Sequence, residues 1–247
     1  MVRLVDYETR RKAVLRETIN RYIKEAAPVS SEEIARDFDL SSATIRNIFA
    51  ELEDNGYLTH PYTSGGRIPT PSGYRYYVDC LMLQSELLEE EKEDIIREYR
   101  QREESRSLED ILVKTSEVIS HITRYAGIAS SLEWQDRFFY KGISLILTQP
   151  EFRDFERVRL LIKMIEERQY LLNIINRNFA DKVKVYIGEE LHCPGIESCS
   201  LVVSSYAVKD KPLGRLAVLG PMRMEYRHII PALEYISDTL TELLSNT

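Results

Sequence analysis

Apolar residues recur at helical spacing through most of the chain, and in short strand-like runs elsewhere. Leu15, Ile19, Tyr22 and Ala26 mark one face of a first helix. A second starts at Ser30, which forms a capping-box pattern with Glu33, and it buries Ile34, Ala35 and Phe38. After a tight turn at Asp39-Leu40, Ser41 or Ser42 caps a third helix. Its Ile45, Ile48, Phe49 and Leu52 fall at i, i+3, i+4 and i+7, a single buried stripe. Gly56 ends that helix, YLTH and GRIPT flank PYTSGG as a hairpin, and Thr70-Pro71 opens the next helix. Residues 81–107 are charge-rich and free of Gly and Pro, which predicts a solvated connecting helix. Beyond them, Leu108, Leu112, Ser116, Ile119 and Tyr125 mark one helix, and residues 154–177 another. VKVYIG, SLVVSSY and GRLAVLG are strands, and Ile229, Leu233, Ile236, Leu240 and Leu244 line a final helix over 225–245. The pattern gives an α+β chain with a small antiparallel sheet near its C-terminus.

Three helices followed by a hairpin make a winged helix-turn-helix. With the stripe of helix three buried, Ala43, Arg46, Asn47, Ala50 and Asp54 point outward. The first two turns of that face are small or hydrogen-bonding, and the acidic residues Glu51, Glu53 and Asp54 gather in the last. A helix entering a major groove by its N-terminal half needs this arrangement, because its N-terminus favours phosphate. Arg46 can bond guanine bidentately and Asn47 adenine, each with about 1–3 kcal/mol of discrimination. Gly65 and Gly66 let the wing tip bend close to a backbone, and Arg67 can reach a phosphate or the minor groove. Winged helices also serve as protein–protein modules, so the pattern leaves that reading open.

Charge narrows the picture. The chain has 247 residues and a net charge of −7. The first 80 residues hold 11 Lys+Arg against 12 Asp+Glu, so DNA binding has to rest on how charge is distributed. No apolar run is long enough for a membrane span. The charged start MVRLVDYETRRKAVLRE lacks a secretory core, and three scattered cysteines give no disulfide framework. A cytoplasmic location is expected.

The block LSSATIRNIFAELEDNGYLTHPYTSGGRIPTPSGYRYYVD (40–79), with RETINRYIKEAAPVSSEEIARDFDL before it, resembles the N-terminal signature of the HrcA family of heat-inducible transcription repressors. LTQPEFRDFERVRLLIKMIEE, VKVYIGEE and GRLAVLGPMRMEYRHIIPALEYISDTLTELL resemble that family's second domain. The resemblance implies a repressor of chaperone operons that binds double-stranded DNA as a homodimer at an inverted-repeat operator and is released by heat. The chaperonin GroEL is an implied partner. It assigns recognition-helix and wing roles to Ser42, Thr44, Arg46, Asn47, Tyr62, Thr63, Ser64, Gly65, Gly66 and Arg67. Residues 1–80 are then the winged-helix domain, 81–107 a connecting helix, and 108–247 a small, incomplete GAF-like α/β domain for regulation or dimerisation. AGIASSLEWQDRFFYKGISL crosses directly the position where members carry an inserted dimerising segment, so that segment is missing.

Nothing in the sequence asks for an enzyme, a cofactor or a metal. GxxxxGK, GxSxG and HExxH are absent, and HCPGIESC (His192, Cys193, Cys199) offers too few ligands for a metal site. His60, His121 and His228 are scattered along the chain. Trp134, Phe138, Phe139 and Tyr140 form an aromatic cluster that reads as core, or as the lining of a ligand pocket. The alternative function is therefore a one-component regulator whose second domain binds a small molecule.

Overall fold

Side-chain caps set the helix boundaries of the N-terminal third. The computed structural model describes residues 2–61, 65–83, 85–100, 107–134, 137–177, 181–209 and 211–245, with 2–5 as backbone only. Contacts divide the chain into two units, Met1–Gln84 and Ser85–Thr247, each with its own core. The first unit holds α1 (Val2–Glu25), α2 (Ser31–Phe38), α3 (Ser42–Asp54), β1 (Leu58–Thr59), β2 (Ile68–Pro69) and α4 (Pro71–Tyr76). A wider π turn over Tyr77–Leu81 continues α4.

The capping box of α2 is present in both directions. Glu33 N–H donates to Ser30 Oγ at 3.3 Å, and Ser30 N–H donates to Glu33 Oε2 at 2.7 Å. Asp39 closes α2 in the left-handed region, and Ser41 is the cap of α3, accepting from Thr44 N–H at 3.0 Å. At the far end Gly56, with φ of +73°, donates to the Glu53 carbonyl at 2.8 Å, and Tyr57 N–H reaches the Leu52 carbonyl at 2.9 Å. This pair of bonds is the Schellman closure that a residue free to take positive φ permits. Thr70 caps α4 through Gly73 N–H at 3.0 Å. Ile45, Ile48, Phe49 and Leu52 are all buried, together with Leu15 and Ile19 of α1 and Ile34 of α2.

The second unit holds α5 (Glu89–Arg100), α6 (Leu108–Thr123), β3 (Ala126–Ser131), β4 (Phe138–Lys141), α7 (Ile143–Leu147), α8 (Phe155–Glu166), α9 (Arg168–Ile175), β5 (Val183–Ile187), β6 (Cys199–Val208), β7 (Lys211–Pro221) and α10 (Tyr226–Ser245). Its antiparallel sheet runs β4-β3-β7-β6-β5, two strands more than the pattern marks. Leu201, Val203, Ala217 and Leu219 join a core with Leu161, Met164, Leu172 and Ile175 of α8 and α9. Val202, Ser204, Leu216 and Val218 are just as buried on the other face, where α6 and α10 lie. Burial of both faces explains why these strands read as continuous apolar runs. β3 escapes the pattern because AGIASS is built of small residues. A Cβ at Gly127 would stand 2.4 Å from the Ser116 carbonyl oxygen, so glycine is what lets α6 lie against the strand.

Two further departures have physical reasons. The helix expected over 154–177 breaks at Glu167, whose ψ of 66° is not helical, and the break turns both Ile165 and Leu171 inward. The charged helix α5 is packed, not solvated: Ile95 is fully buried, Lys114 donates to Glu98 Oε2 at 2.7 Å, and His228 Nε2 lies 2.9 Å from Glu91 Oε1. In α10, Pro231 has no N–H for the Arg227 carbonyl four residues earlier, and the Ser85 hydroxyl donates there instead. Among the described residues no helix is long and apolar enough to cross a membrane.

The capping box sets a pH test. The bonds from the Ser30 N–H and hydroxyl hold the Glu33 carboxyl below its usual range. Because folding lowers this pKa, the stabilisation is complete above the ordinary carboxylate range and is lost as pH falls through the lower folded value. Glu33→Ala is expected to cost about 0.5–1 kcal/mol near neutral pH. In urea melts the gap from wild type should close at strongly acid pH.

Candidate nucleic-acid interface

The outward face of α3 has the composition expected of it, and its Ser42, Thr44 and Arg46 are already engaged. Ala43, Arg46, Asn47 and Ala50 are exposed, and Ser42 and Thr44 are half-buried at the start of the helix. Ser42 Oγ donates to Glu32 Oε1 at 3.1 Å, lies 2.9 Å from Ser31 Oγ, and accepts from Arg46 Nη2 at 3.0 Å. One donor and two lone pairs are thereby used up, so the hydroxyl of Ser42 ties α3 to α2. Thr44 Oγ1 sits 2.8 Å from Ser41 Oγ within the cap. Arg46 also approaches Glu32 Oε1 at 3.7 Å, with its side chain 65% exposed. The Glu32 carboxyl is held below its usual range, first by its own backbone N–H, then by Ser42 and Arg46.

The wing is anchored at its base. β1 pairs with β2 through Leu58↔Pro69 and Thr59↔Ile68. Just before β2, Arg67 exchanges two backbone bonds with Val29, at 2.8 and 2.9 Å, an isolated antiparallel bridge that ties the segment before α2 to the hairpin. Gly66 makes this possible, since a Cβ there would lie 2.5 Å from the Val29 carbonyl oxygen. Its glycine character thus has a packing cause of its own. Arg67 Nη2 meets Glu53 Oε2 at 2.8 Å, and Glu53 Oε1 lies 2.6 Å from His60 Nδ1. Arg67 Nη1 also donates to the Gly65 carbonyl at 3.3 Å. Tyr62, Thr63 and Ser64 lie outside the described residues.

Glu32 and Glu53 are the functional neighbours that the sequence pattern missed. The acidic last turn of α3 is largely engaged within the first unit. In the structure Glu51 accepts from Tyr7 Oη at 2.6 Å, Glu53 holds Arg67, and Asp54 is the exposed member. Glu53 follows Leu52, the last residue of the buried stripe, but no local pattern joins it to the hairpin. For Glu32 the local pattern carries no mark, since the capping box uses its neighbour Glu33.

The other candidate clusters stay apart. His60, His121 and His228 each face a glutamate, Glu53, Glu98 and Glu91 respectively. No group of three metal-binding side chains occurs among the described residues. Phe138 joins the core, while Trp134 and Phe139 meet edge to face at 5.9 Å. Burial pushes the Cys199 thiol up to about 12 and raises that of half-buried Cys193.

The comparisons agree with this geometry. Residues 7–79 match the winged helix-turn-helix transcription repressor, HrcA DNA-binding, and residues 128–230 match the HrcA protein C terminal domain. The heat-inducible transcription repressor HrcA of Moorella thermoacetica is 30% identical, covering 96% of this chain and 98% of that one. The chain belongs to the HrcA family. It is a heat-inducible transcription repressor with a winged-helix DNA-binding domain. The HrcA of Desulforudis audaxviator is 28% identical with the same coverage. A crystal structure of a hypothetical protein superposes with a TM-score of 0.73 at 18% identity, covering 96% of this chain and 98% of that one. The Moorella comparison runs over 338 positions against 247 residues here, so at least 91 positions of that HrcA have no counterpart.

Three outcomes are expected. Arg67→Ala should lower the melting temperature of the first unit, because it strips Glu53 of its half-buried partner, at a cost of about 1 kcal/mol. Arg46→Ala, at a mostly exposed position, should leave that temperature within error. With a thiol reagent at mildly alkaline pH, exposed Cys80 should react first and Cys199 only on unfolding.

Proposed function

We propose that the chain represses chaperone operons by binding an inverted-repeat operator as a homodimer, with α3 of each copy in a major groove. The observation that carries this reading is the two-sided character of α3. Its apolar stripe is wholly buried, and its opposite face is small and hydrogen-bonding through the first two turns. Arg46 and Asn47 read base edges, Arg46 exchanging Glu32 and Ser42 for guanine. Ser42 and Thr44 hold the helix entry near a phosphate. The wing residues Tyr62, Thr63, Ser64, Gly65, Gly66 and Arg67 lie along the backbone, with Arg67 set by Glu53. Heat releases the operator when partial unfolding of the second unit loses the spacing between the two reading helices. Residues 1–80 serve DNA binding and 108–247 regulation and pairing, with 81–107 as the connection.

The deciding measurement is competition between operator and random duplex. Arg46→Ala should weaken operator binding about 5- to 150-fold. Binding to random DNA should fall far less. Equal losses on both duplexes would remove the base-reading role. A steep salt dependence for the wild type is expected, and its absence would favour a protein–protein module.

One observation favours the ligand-binding alternative. An open groove of about 510 Å³ lies between α5 and α10, lined by Ile96, Tyr99, Tyr235 and Leu243 with Arg100 and Glu242 at its polar side. A saturable thermal shift with a small molecule, lost on Tyr235→Ala, would support that reading.

A further inference from the structure

The sheet of the second unit ends at β4, and this edge lacks the usual guards. No strand lies beyond it among the described residues, so its outer backbone donors and acceptors are open to pairing. Natural edges are blunted by proline, by bulges or by an unpaired lysine. β4 has no proline, and its register with β3 is unbroken from Ser130↔Phe138 to Gly127↔Lys141. It does carry a lysine, but Lys141 Nζ lies 3.6 Å from Glu117 Oε1 of α6. Arg137, just before the strand, bonds Glu109 Oε1 of the same helix at 2.7 Å. Both cations are offset by α6, so neither repels an approaching strand as a free lysine would.

The edge is also aromatic. Tyr140 is 49% exposed, and Arg137 lies over the rings of Trp134 and Phe139 at 5.1 and 5.7 Å. An open groove of about 250 Å³ runs between α6 and the strand, bounded by Val113, Ser116 and Glu117 on the helix.

We propose that β4 is the dimer contact: β4 of one copy pairs antiparallel with β4 of a second copy and joins the two five-stranded sheets into one. This rests on the homodimeric reading above. A second copy fits because a twofold axis through Tyr140, perpendicular to the sheet, makes the contact self-complementary. It sets Tyr140 of one copy opposite Tyr140 of the other, and Phe139 opposite Lys141. Charge favours the same occupant. Each copy brings two cations and two carboxylates along the α6 side of the strand, Arg137 with Glu109 and Lys141 with Glu117, so these four groups sum to zero and set no net charge against a second copy. The Moorella HrcA carries at least 91 positions with no counterpart here, so this chain pairs with less material than that relative has.

The test is sedimentation of the full chain across a concentration series. The wild type is expected at twice its 28.8 kDa. Tyr140→Lys, which adds two unbalanced charges across the twofold, should raise the dimer dissociation constant at least about ten-fold. Phe155→Lys, on an exposed apolar position of α8, should leave it unchanged. In a Cys80→Ser background, Tyr140→Cys should cross-link between copies with a short bismaleimide, which answers the question even if Tyr140→Lys folds poorly. A dimer insensitive to Tyr140→Lys and not cross-linked through Tyr140→Cys would overturn the edge contact while leaving the homodimer standing. A monomer at all concentrations would overturn both.

Discussion

Burial of four side chains on one helix decides what the first unit can offer to a partner. Ile45, Ile48, Phe49 and Leu52 are driven out of water against α1 and α2, at about 1.5–3 kcal/mol each. That burial fixes the rotation of α3 about its own axis, and with it the face left outside. Ala43, Arg46, Asn47 and Ala50 are outward because the stripe is inward. The caps then fix where the helix begins and ends, so the reading face has a defined length as well as a defined direction.

Two carboxylates stand between that face and nucleic acid, and they act differently. Glu32 holds Arg46 in a loose, solvated contact that water and salt screen. Releasing Arg46 to a base therefore costs little. Glu53 holds Arg67 from a half-buried position, with His60 on its other oxygen. That contact belongs to the architecture of the wing, joining the end of the reading helix to the strand that returns from the tip. One arginine is parked and the other is built in.

The sequence displayed the first unit almost completely, because its determinants are local. Ser30 and Glu33, Gly56, and Thr70 with Pro71 each act within a few residues, and so can be recognised without a fold. Arg67 could be picked out, but its partner Glu53 sits 14 residues earlier across a hairpin, and no local pattern joins them. In the second unit the three apolar strands were visible and β3 and β4 were not. AGIASS is built of small residues, and its Gly127 leaves room for the Ser116 carbonyl of α6, a tertiary fit with no periodic trace. The charged surface of α5 likewise hid one buried isoleucine, Ile95, and the pairs that fasten the helix.

The sheet order carries a consequence for synthesis. β7, the last strand to be made, lies in the middle, with β3 on one side and β6 on the other. While the chain is emerging from the ribosome, β3–β4 and β5–β6 can form only as two separate hairpins, each with an apolar face and an unpaired inner edge. Both edges stay open until residue 221 has been delivered, and α10 must still follow to cover one face. The second unit is therefore a late folder with a long exposed interval.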